Sequence, residues 1–593
     1  MFVLLDNSSG SGPPSLRFTR PHEVVTANEP GQVATALARI QDGLAGGLHA
    51  AGFFSYELGY VLEPRLAPRL PQGRRVPLLW FGLFDAPETL SGADVARLLA
   101  TPAEIPRLLD IAPDWTADDY LQRFNAVHEK IAAGDIYQIN LTHKMRFRLD
   151  GSPIALYREL RQRQPVPYGA IIDTGDVTVL SLSPEQFFTR ADRRVTTRPM
   201  KGTAGRGATL KADAEARQLL ASDPKQRAEN LMIVDLMRND LGRIAEIGSV
   251  SVPDLFTVET FGTVHQMTSG VEATLVAGVT LPQFLTAVFP PGSITGAPKV
   301  RAMELIADVE SEPRGVYCGA IGYFAPDGTA RFNVAIRTPV IFPDGTGEMG
   351  IGSGVVADSE GQAEYEECLL KMKFLRAPDP GFQLIETLLF EPGAGYWLLD
   401  RHMQRLAASA EYFGFACDEA AVRSALARIA GAERLRVRLL AAHDGTLTAS
   451  AAPIPLPQLD SVMRCILSTT QLDSREPFLA HKTTRRELYD TEWTHYSAAF
   501  GTGDVIYVNE RGELAEGSRT SIFVQIGAQL LTPPLASGAL PGVLRAELLA
   551  TGQAAEAVLR LSDLNGTNAL YLGNSVRGLM RAELIASGSA ARR

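Results

Sequence analysis

TTRPMKGTAGRG, residues 196–207, sets a single lysine, Lys201, among proline, threonine and glycine. A surface cation, an anion clamp and an amine nucleophile all remain open on these residues alone. What flanks the stretch decides between them.

Downstream, SDPKQRAENLMIVDLMRNDLGRI (222–244) reads as a helix, with Leu231, Val234 and Leu241 on its apolar face and Glu229 near its start. A second helix, EGQAEYEECLLKMKFL (360–375), places Glu364, Glu367 and Lys371 on one face at i, i+3 and i+7. A carboxylate from each of two helices, with waters and an acidic ligand, makes a magnesium site; two solvated acidic faces is the plain alternative. The apolar run VEATLVAGVTLPQFLTAVFPPG (271–292) is interrupted by Pro282 and Gln283 and reads as buried core, not as a membrane span.

At 593 residues the chain exceeds what one core sustains, so two large units are expected. FLRAPDPGF (374–382) is the boundary: two prolines and a glycine between a helical pattern and the strand-like FQLIETLLF. This gives a first domain over 1–375, a linker over 376–381 and a second domain over 382–593. Both mix helices such as YLQRFNAVHEKIAAG and DRHMQRLAASAEYFGF with strands such as AIIDTGDVTVLSLS and RVRLLAAH, a mixed αβ class. A net charge of −10 without a Lys/Arg block argues against a nucleic-acid partner. The four cysteines are widely spaced and the N-terminus lacks a signal-peptide pattern, so reduced thiols in a cytoplasmic protein are expected.

GDIYQINLT, SPEQFF, RPMKGTAGRG, ENLMIVDLMRNDLGRI, VHQM, PPGSITGAPK, YCGAIGYF, FNVAIRT and GIGSGVVADS occur in that order. Together they resemble the chorismate-utilising enzymes, densely over about residues 110–375. The resemblance implies an α/β sandwich that binds chorismate and Mg2+. It implies Glu229 and Glu367 as metal ligands with Glu364 nearby, and Glu185 as general acid. Arg337 and Tyr317 would grip a carboxylate, and Thr295, Gly352 and Gly354 would line the pocket with Thr203. His265 would lie beside the departing oxygen. Gln138 stands where the water-using members carry an activating lysine, which speaks against water as nucleophile. Lys201-Gly202-Thr203 matches the aminodeoxychorismate synthases; anthranilate synthases read alanine-glycine-threonine there. The resemblance therefore implies attack by the Lys201 amine on ring C2 with loss of the C4 hydroxyl, and then ammonia at C4. No cysteine sits on a glycine-flanked elbow, so the resemblance implies a separate glutamine amidotransferase subunit as the ammonia source.

In the second domain ETLLFEPGAGYWLLDRHMQRLAASAEYFGF, FLAHKTTRRELYD, VNERGELAEGSRTSIFV, LPGVLRAELL and YLGNSVRGLM follow in order. They resemble the fold-type-IV pyridoxal-phosphate enzymes over 382–593, a two-subdomain fold whose members commonly form homodimers. The cofactor needs a lysine for its aldehyde, a carboxylate at its pyridine nitrogen and donors for its phosphate. Lys482, Glu516 and Arg405 meet these needs. Gly542, Val543 and Leu544 open a helix, and Asn574 and Ser575 stand opposite. Joined to the first domain, the resemblance implies loss of pyruvate from 4-amino-4-deoxychorismate to give para-aminobenzoate. The rival readings are an anthranilate synthase fused to an amino-acid aminotransferase, and a scaffold without turnover.

Overall fold

In the first strand, Phe2–Asp6, the side chains alternate. Val3 and Leu5 enter an interior built from strands, with Phe53 and Trp80 opposite. Leu4 points the other way, into a larger core shared with helices. This is the pattern of two stacked sheets with helices on their outer faces. The computed structural model describes residues 1–9, 12–102, 104, 106–207, 209–261, 264–372, 375, 381–429, 431–455, 462–564 and 569–585. Of the boundary expected at 374–382, only Leu375, Gly381 and Phe382 fall within these.

Two compact units emerge, Met1–Ala204 with Leu219–Asp379, and Gly205–Gln218 with Pro380–Arg593. Among the described residues the first unit holds two ten-stranded sheets. In one, Gln138–Asp150 pairs antiparallel with Thr346–Val355, in register from Ile139↔Val355 to Arg148↔Thr346. In the other, Gln186–Ala191, Arg194–Arg198 and Val264–Thr274 run side by side, and Met200–Gly205 pairs beyond them.

The helix expected over 222–244 spans Pro224–Gly242, capped by the Asp223 side chain on the amides of Lys225 and Gln226. Its buried face carries Ile233, Val234, Met237 and Leu241. Leu231, expected on that face, is exposed. It lies one residue, about 100°, beyond buried Asn230, which takes the inner position instead. The apolar run at 271–292 is the end of a strand followed by the helix Leu281–Val288. Pro282 sits in the first turn of that helix and Gln283 closes a capping box with Thr280, while Leu281, Phe284, Leu285, Ala287 and Val288 are buried, as expected of core.

Among the described residues the second unit is built on two sheets, in keeping with a two-subdomain fold. A four-stranded sheet orders Gly395–Tyr396, Leu384–Glu391, Leu435–Ala441 and Leu447–Pro453, with the helix Leu399–Phe413 packed on it. An eight-stranded sheet has Met463–Leu472 parallel to both Asp504–Asn509 and Gly578–Ile585. The chain at Lys482 lies along the edge of the smaller sheet: the Ile385 amide donates to the Lys482 carbonyl at 2.8 Å, and Thr483 bridges Leu384.

Candidate active sites

The floor of the first site is the strand Thr346–Val355, whose Gly350, Gly352 and Gly354 share a face by strand alternation. A Cβ at Gly350 would lie 2.0 Å from the Tyr317 ring. A Cβ at Gly354 would lie 2.4 Å from the Lys201 Nζ and 3.6 Å from the Gln138 Nε2. The bare main chain thus makes room for the amine. Lys201 reaches this position from the strand Met200–Gly205. Asn230 Nδ2 donates to the Lys201 carbonyl at 3.1 Å and to the Met267 carbonyl at 3.3 Å. Gly202 follows at φ +104°, a conformation costly for a side-chain residue, with Gln226 and Met267 against it.

Around the amine, Glu229 Oε2 lies 3.7 Å from Lys201 Nζ. Glu185 is buried and accepts a hydrogen bond from Ser293 Oγ at 2.6 Å. Burial pushes its carboxyl up to about 7, against the pull of Ser293, the Met200 amide and Lys201. Glu367 pairs with Lys371 at 2.7 Å, and Lys371 also donates to the Gly352 carbonyl at 2.8 Å. The partly dry surroundings of Glu367 push its carboxyl up, but Lys371 and then Lys201 hold it below the usual carboxylate range. Gln138 is fully buried, and neither end of its amide has a partner among the described residues.

Arg337 sits at φ +50° and is forced down to about 10 by burial. Among the described residues no carboxylate meets its guanidinium, so an anionic ligand would remove a real desolvation cost. Tyr317 is buried. Thr295 is buried too, and its hydroxyl donates to the Pro291 carbonyl at 2.8 Å. His265 Nδ1 lies 3.0 Å from the Thr260 hydroxyl. Thr203 is exposed. Among the described residues no group of three or more His, Cys, Asp or Glu forms a metal cage. Glu229 and Glu367, both within the field of Lys201, suit Mg2+, which keeps several waters and binds through one or two carboxylates and its substrate.

The second site is a cavity of about 610 Å³ around Lys482, ample for a cofactor and a ring-sized substrate. Burial drives the Lys482 amine down to about 7, helped by Arg486 and Arg405. Glu516 is pushed up to about 7 by burial, while the Tyr489 hydroxyl at 2.5 Å and the Leu540 amide at 3.0 Å favour its charged form. The helix Val543–Ala550 points its start at the cavity, after Gly542, where a Cβ would lie 2.4 Å from Ser521 Oγ. Asn574 commits its Oδ1 to the amides of Val576 and Arg577 and its Nδ2 to the Arg519 carbonyl. Buried Ser575 lines the cavity.

Arg405 lines it as well, but its guanidinium is shared: two nitrogens reach Glu386 at 2.9 and 2.6 Å, and a third the Pro541 carbonyl at 3.3 Å. His402 Nδ1 also meets Glu386, at 2.5 Å. Glu386 and Glu516 both act on the Lys482 amine as nearby negative charges, against the pull of Arg486 and Arg405. A buried amine, an acid and a helix N-terminus on one cavity fit pyridoxal 5'-phosphate.

Sequence reasoning missed Ser293, Asn230, Glu386 and His402. Ser293 and Asn230 stood inside quoted motifs, and Glu386 and His402 inside ETLLF and RHM, but no spacing rule singles them out.

The family described as chorismate binding enzyme matches residues 14–377. The chain belongs to the chorismate binding enzymes. Amino-transferase class IV matches residues 383–585, and such a domain implies pyridoxal 5'-phosphate. Among relatives of this chorismate binding enzyme, aminodeoxychorismate synthase component 1 of Klebsiella aerogenes is 39% identical over 341 residues, 54% of this chain and 75% of that protein. The Escherichia coli protein of the same name is 37% identical over 343 residues, with the same coverage. Anthranilate synthase component 1 of Pseudomonas putida is 41% identical over 259 residues, 44% of this chain and 52% of that protein. The crystal structure of anthranilate synthase component I from Streptococcus pneumoniae superposes with a TM-score of 0.53 at 27% identity, covering 63% of this chain and 92% of that one. The enzyme's mixed helix-and-sheet class is as expected. No described helix is long and apolar enough to cross a membrane.

Proposed function

We propose that this enzyme makes 4-aminobenzoate from chorismate in two steps, one in each unit. In the first, the Lys201 amine attacks ring C2, the ring double bonds shift, and the C4 hydroxyl departs as water with a proton from Glu185. Ammonia then bonds to C4, the double bonds shift back, and the C2–N bond breaks to return the lysine. The product is 4-amino-4-deoxychorismate. Glu229 and Glu367 would hold Mg2+, which would offset the charge of one substrate carboxylate, and Arg337 offsets that of the other. A carboxyl near 7 is protonated in about half of the molecules at neutral pH and gives the proton up readily, which suits Glu185 to the proposed task.

The observation that carries this reading is the amine of Lys201 seated over Gly354, beside Gln138 and 3.7 Å from Glu229. A lysine there supplies the nucleophile that alanine cannot. The anthranilate synthase relative makes ortho-amination the competing outcome.

In the second unit, pyridoxal 5'-phosphate when bound supplies an electron sink beside the substrate amine. Glu516 would pair with its pyridine nitrogen, and Arg405, the helix start at Val543 and Leu544, Asn574 and Ser575 would hold its phosphate. Lys482, with an amine near 7, takes the proton from ring C4. The C3–oxygen bond then breaks, pyruvate leaves, and the ring becomes aromatic. Ammonia is supplied by a partner glutamine amidotransferase, as the name component 1 of the relatives suggests, and the second unit pairs in a homodimer. The enzyme works in the cytoplasm.

The test is product analysis with chorismate, Mg2+ and ammonium, with and without an added glutamine amidotransferase. The expected product is 4-aminobenzoate with one pyruvate. Lys201→Ala stops its formation, and Lys482→Ala leaves 4-amino-4-deoxychorismate to accumulate. Release of 2-aminobenzoate as the main product would overturn the first step. Continued 4-aminobenzoate release by Lys482→Ala would overturn the second.

A further inference from the structure

The cavity around Lys482 carries more positive charge than a cofactor accounts for. Eight arginine and lysine side chains line it against three carboxylates, and Glu386 behind the lining pairs with Arg405, which leaves an excess of four. A phosphate contributes only about −1.5 to −2. The three carboxylates are already engaged. Glu516 is held by Tyr489 and Leu540. Asp504 accepts from Ser518 and Thr520. Asp490 lies 3.7 Å from Arg486.

Two of the eight cations stand out by position. Arg436 and Arg438 alternate along Leu435–Ala441, so both leave the same face of the sheet, while Val437 and Leu439 between and beyond them are buried in the core. Across the sheet, Arg436 faces Leu389 and Ala452, and Arg438 faces Thr387 and Ser450. None of these is an acid. Neither guanidinium meets a carboxylate among the described residues. Arg519, another lining residue, stacks 3.5 Å over the Trp493 ring. Burial lowers its pKa; Asp490 and Asp504 oppose this, and Arg486 and Arg436 add to it. Arg436 and Arg519 therefore stand within each other's field as like charges, an arrangement that an anion between them relieves.

We propose that Arg436 and Arg438 are the specificity residues of the second unit, receiving the two carboxylates of a ring-shaped dianionic substrate. Arg436 takes one carboxylate in company with Arg519, and Arg438 takes the other. Alternate residues of a strand stand about 7 Å apart, a spacing that a six-membered ring bearing two carboxylate groups can bridge. The guanidinium fork suits a carboxylate in a way an ammonium does not. This rests on the reading of the second unit as acting on 4-amino-4-deoxychorismate, which is such a dianion, and it assigns that substrate's selection to residues outside the cofactor's own set.

The test uses the full-length protein loaded with pyridoxal phosphate, as wild type, Arg436→Gln, Arg438→Gln and the double variant. Benzoate and benzene-1,3-dicarboxylate are the probes, titrated through the visible absorbance of the bound cofactor. Wild type is expected to bind the dicarboxylate at least about tenfold more tightly, the scale of one charge-assisted hydrogen bond. Each single variant reduces that ratio and the double variant brings it close to one, with cofactor content unchanged. With 4-amino-4-deoxychorismate the loss falls on KM and not on kcat, and Arg438→Lys recovers only part of it. A ratio that stays as in wild type, or equal losses for both probes, overturns the proposal. If wild type discriminates between the probes and the variants do not, yet no pyruvate is released from 4-amino-4-deoxychorismate, the dianion site stands and the lyase reading falls. If pyruvate is released but the variants keep the wild-type probe ratio, the lyase reading stands and the dianion site falls.

Discussion

Replacing Ser293 by alanine should move the alkaline limb of the first reaction's pH profile upward. Ser293 Oγ donates to Glu185 Oε1 at 2.6 Å, a bond that favours the charged carboxylate. Burial has already raised this carboxyl from 4.5 to about 7. At pH 7 about half of the molecules therefore carry the catalytic proton; at the ordinary value only about three in a thousand would. A hydrogen bond to a charged group is worth about 1.5–3 kcal/mol, and about 1.4 kcal/mol is one pKa unit, so its loss raises Glu185 by about one unit or more. The sign follows from which form the serine favours: without it the carboxyl keeps its proton to higher pH. The assay is kcat/KM for chorismate from pH 6 to 9 (about three units, spanning both limbs), with the concentration of unprotonated ammonia held constant and magnesium saturating. Wild type should fall away above about 7 and Ser293→Ala about one unit later, while Glu185→Gln should lack the limb altogether. A limb that stays in place or moves to lower pH would refute the role given to Ser293. A limb that survives in Glu185→Gln would remove Glu185 as the acid.

Gly354→Ala should fold normally, because its Cβ meets the movable tip of Lys201 at 2.4 Å and not packed backbone. Since a misplacement of about 1 Å can cost about 100-fold in rate, turnover of chorismate should drop steeply with little change in Tm; undiminished turnover would show that the amine need not sit there. Glu367→Gln should raise the magnesium concentration for half-maximal activity by about tenfold or more, and an unaltered metal titration would contradict its ligand role. In cofactor-free protein, the depressed Lys482 amine contributes stability that is present above 10.5 and lost as pH falls through about 7. Lys482→Met should therefore gain on wild type in urea midpoint between pH 10 and pH 7, by a few kcal/mol at most; a constant difference would exclude an uncharged buried amine.

The mixed αβ class followed from hydrophobic period and turn residues. Lys201, Glu185, Lys482 and Glu516, the side chains proposed to carry the chemistry, stand in short local patterns and were named through the family resemblance. What stayed hidden depends on contacts across the sequence. Ser293 reaches Glu185 over a separation of 108 residues, and Asn230 reaches Lys201 over 29. Glu386, on the strand Leu384–Glu391, holds Arg405 on the helix Leu399–Phe413, so the arginine expected at the cofactor phosphate is also braced by a carboxylate. Leu231 misled because an apolar side chain was weighed above Asn230, whose two carbonyl contacts and bond from Ser269 draw it inside.

The glycines at 350, 352 and 354 carry one more implication, for how such a catalyst changes over time. A surface made of peptide groups offers nothing for a point mutation to trim, and any enlargement collides with what lies above it. Divergence towards new reactions is then left to the side chains around that surface, at positions such as 138 on the neighbouring strand and 185 and 201 on the other sheet's side, where a single exchange alters what faces the glycines and leaves the glycines as they were.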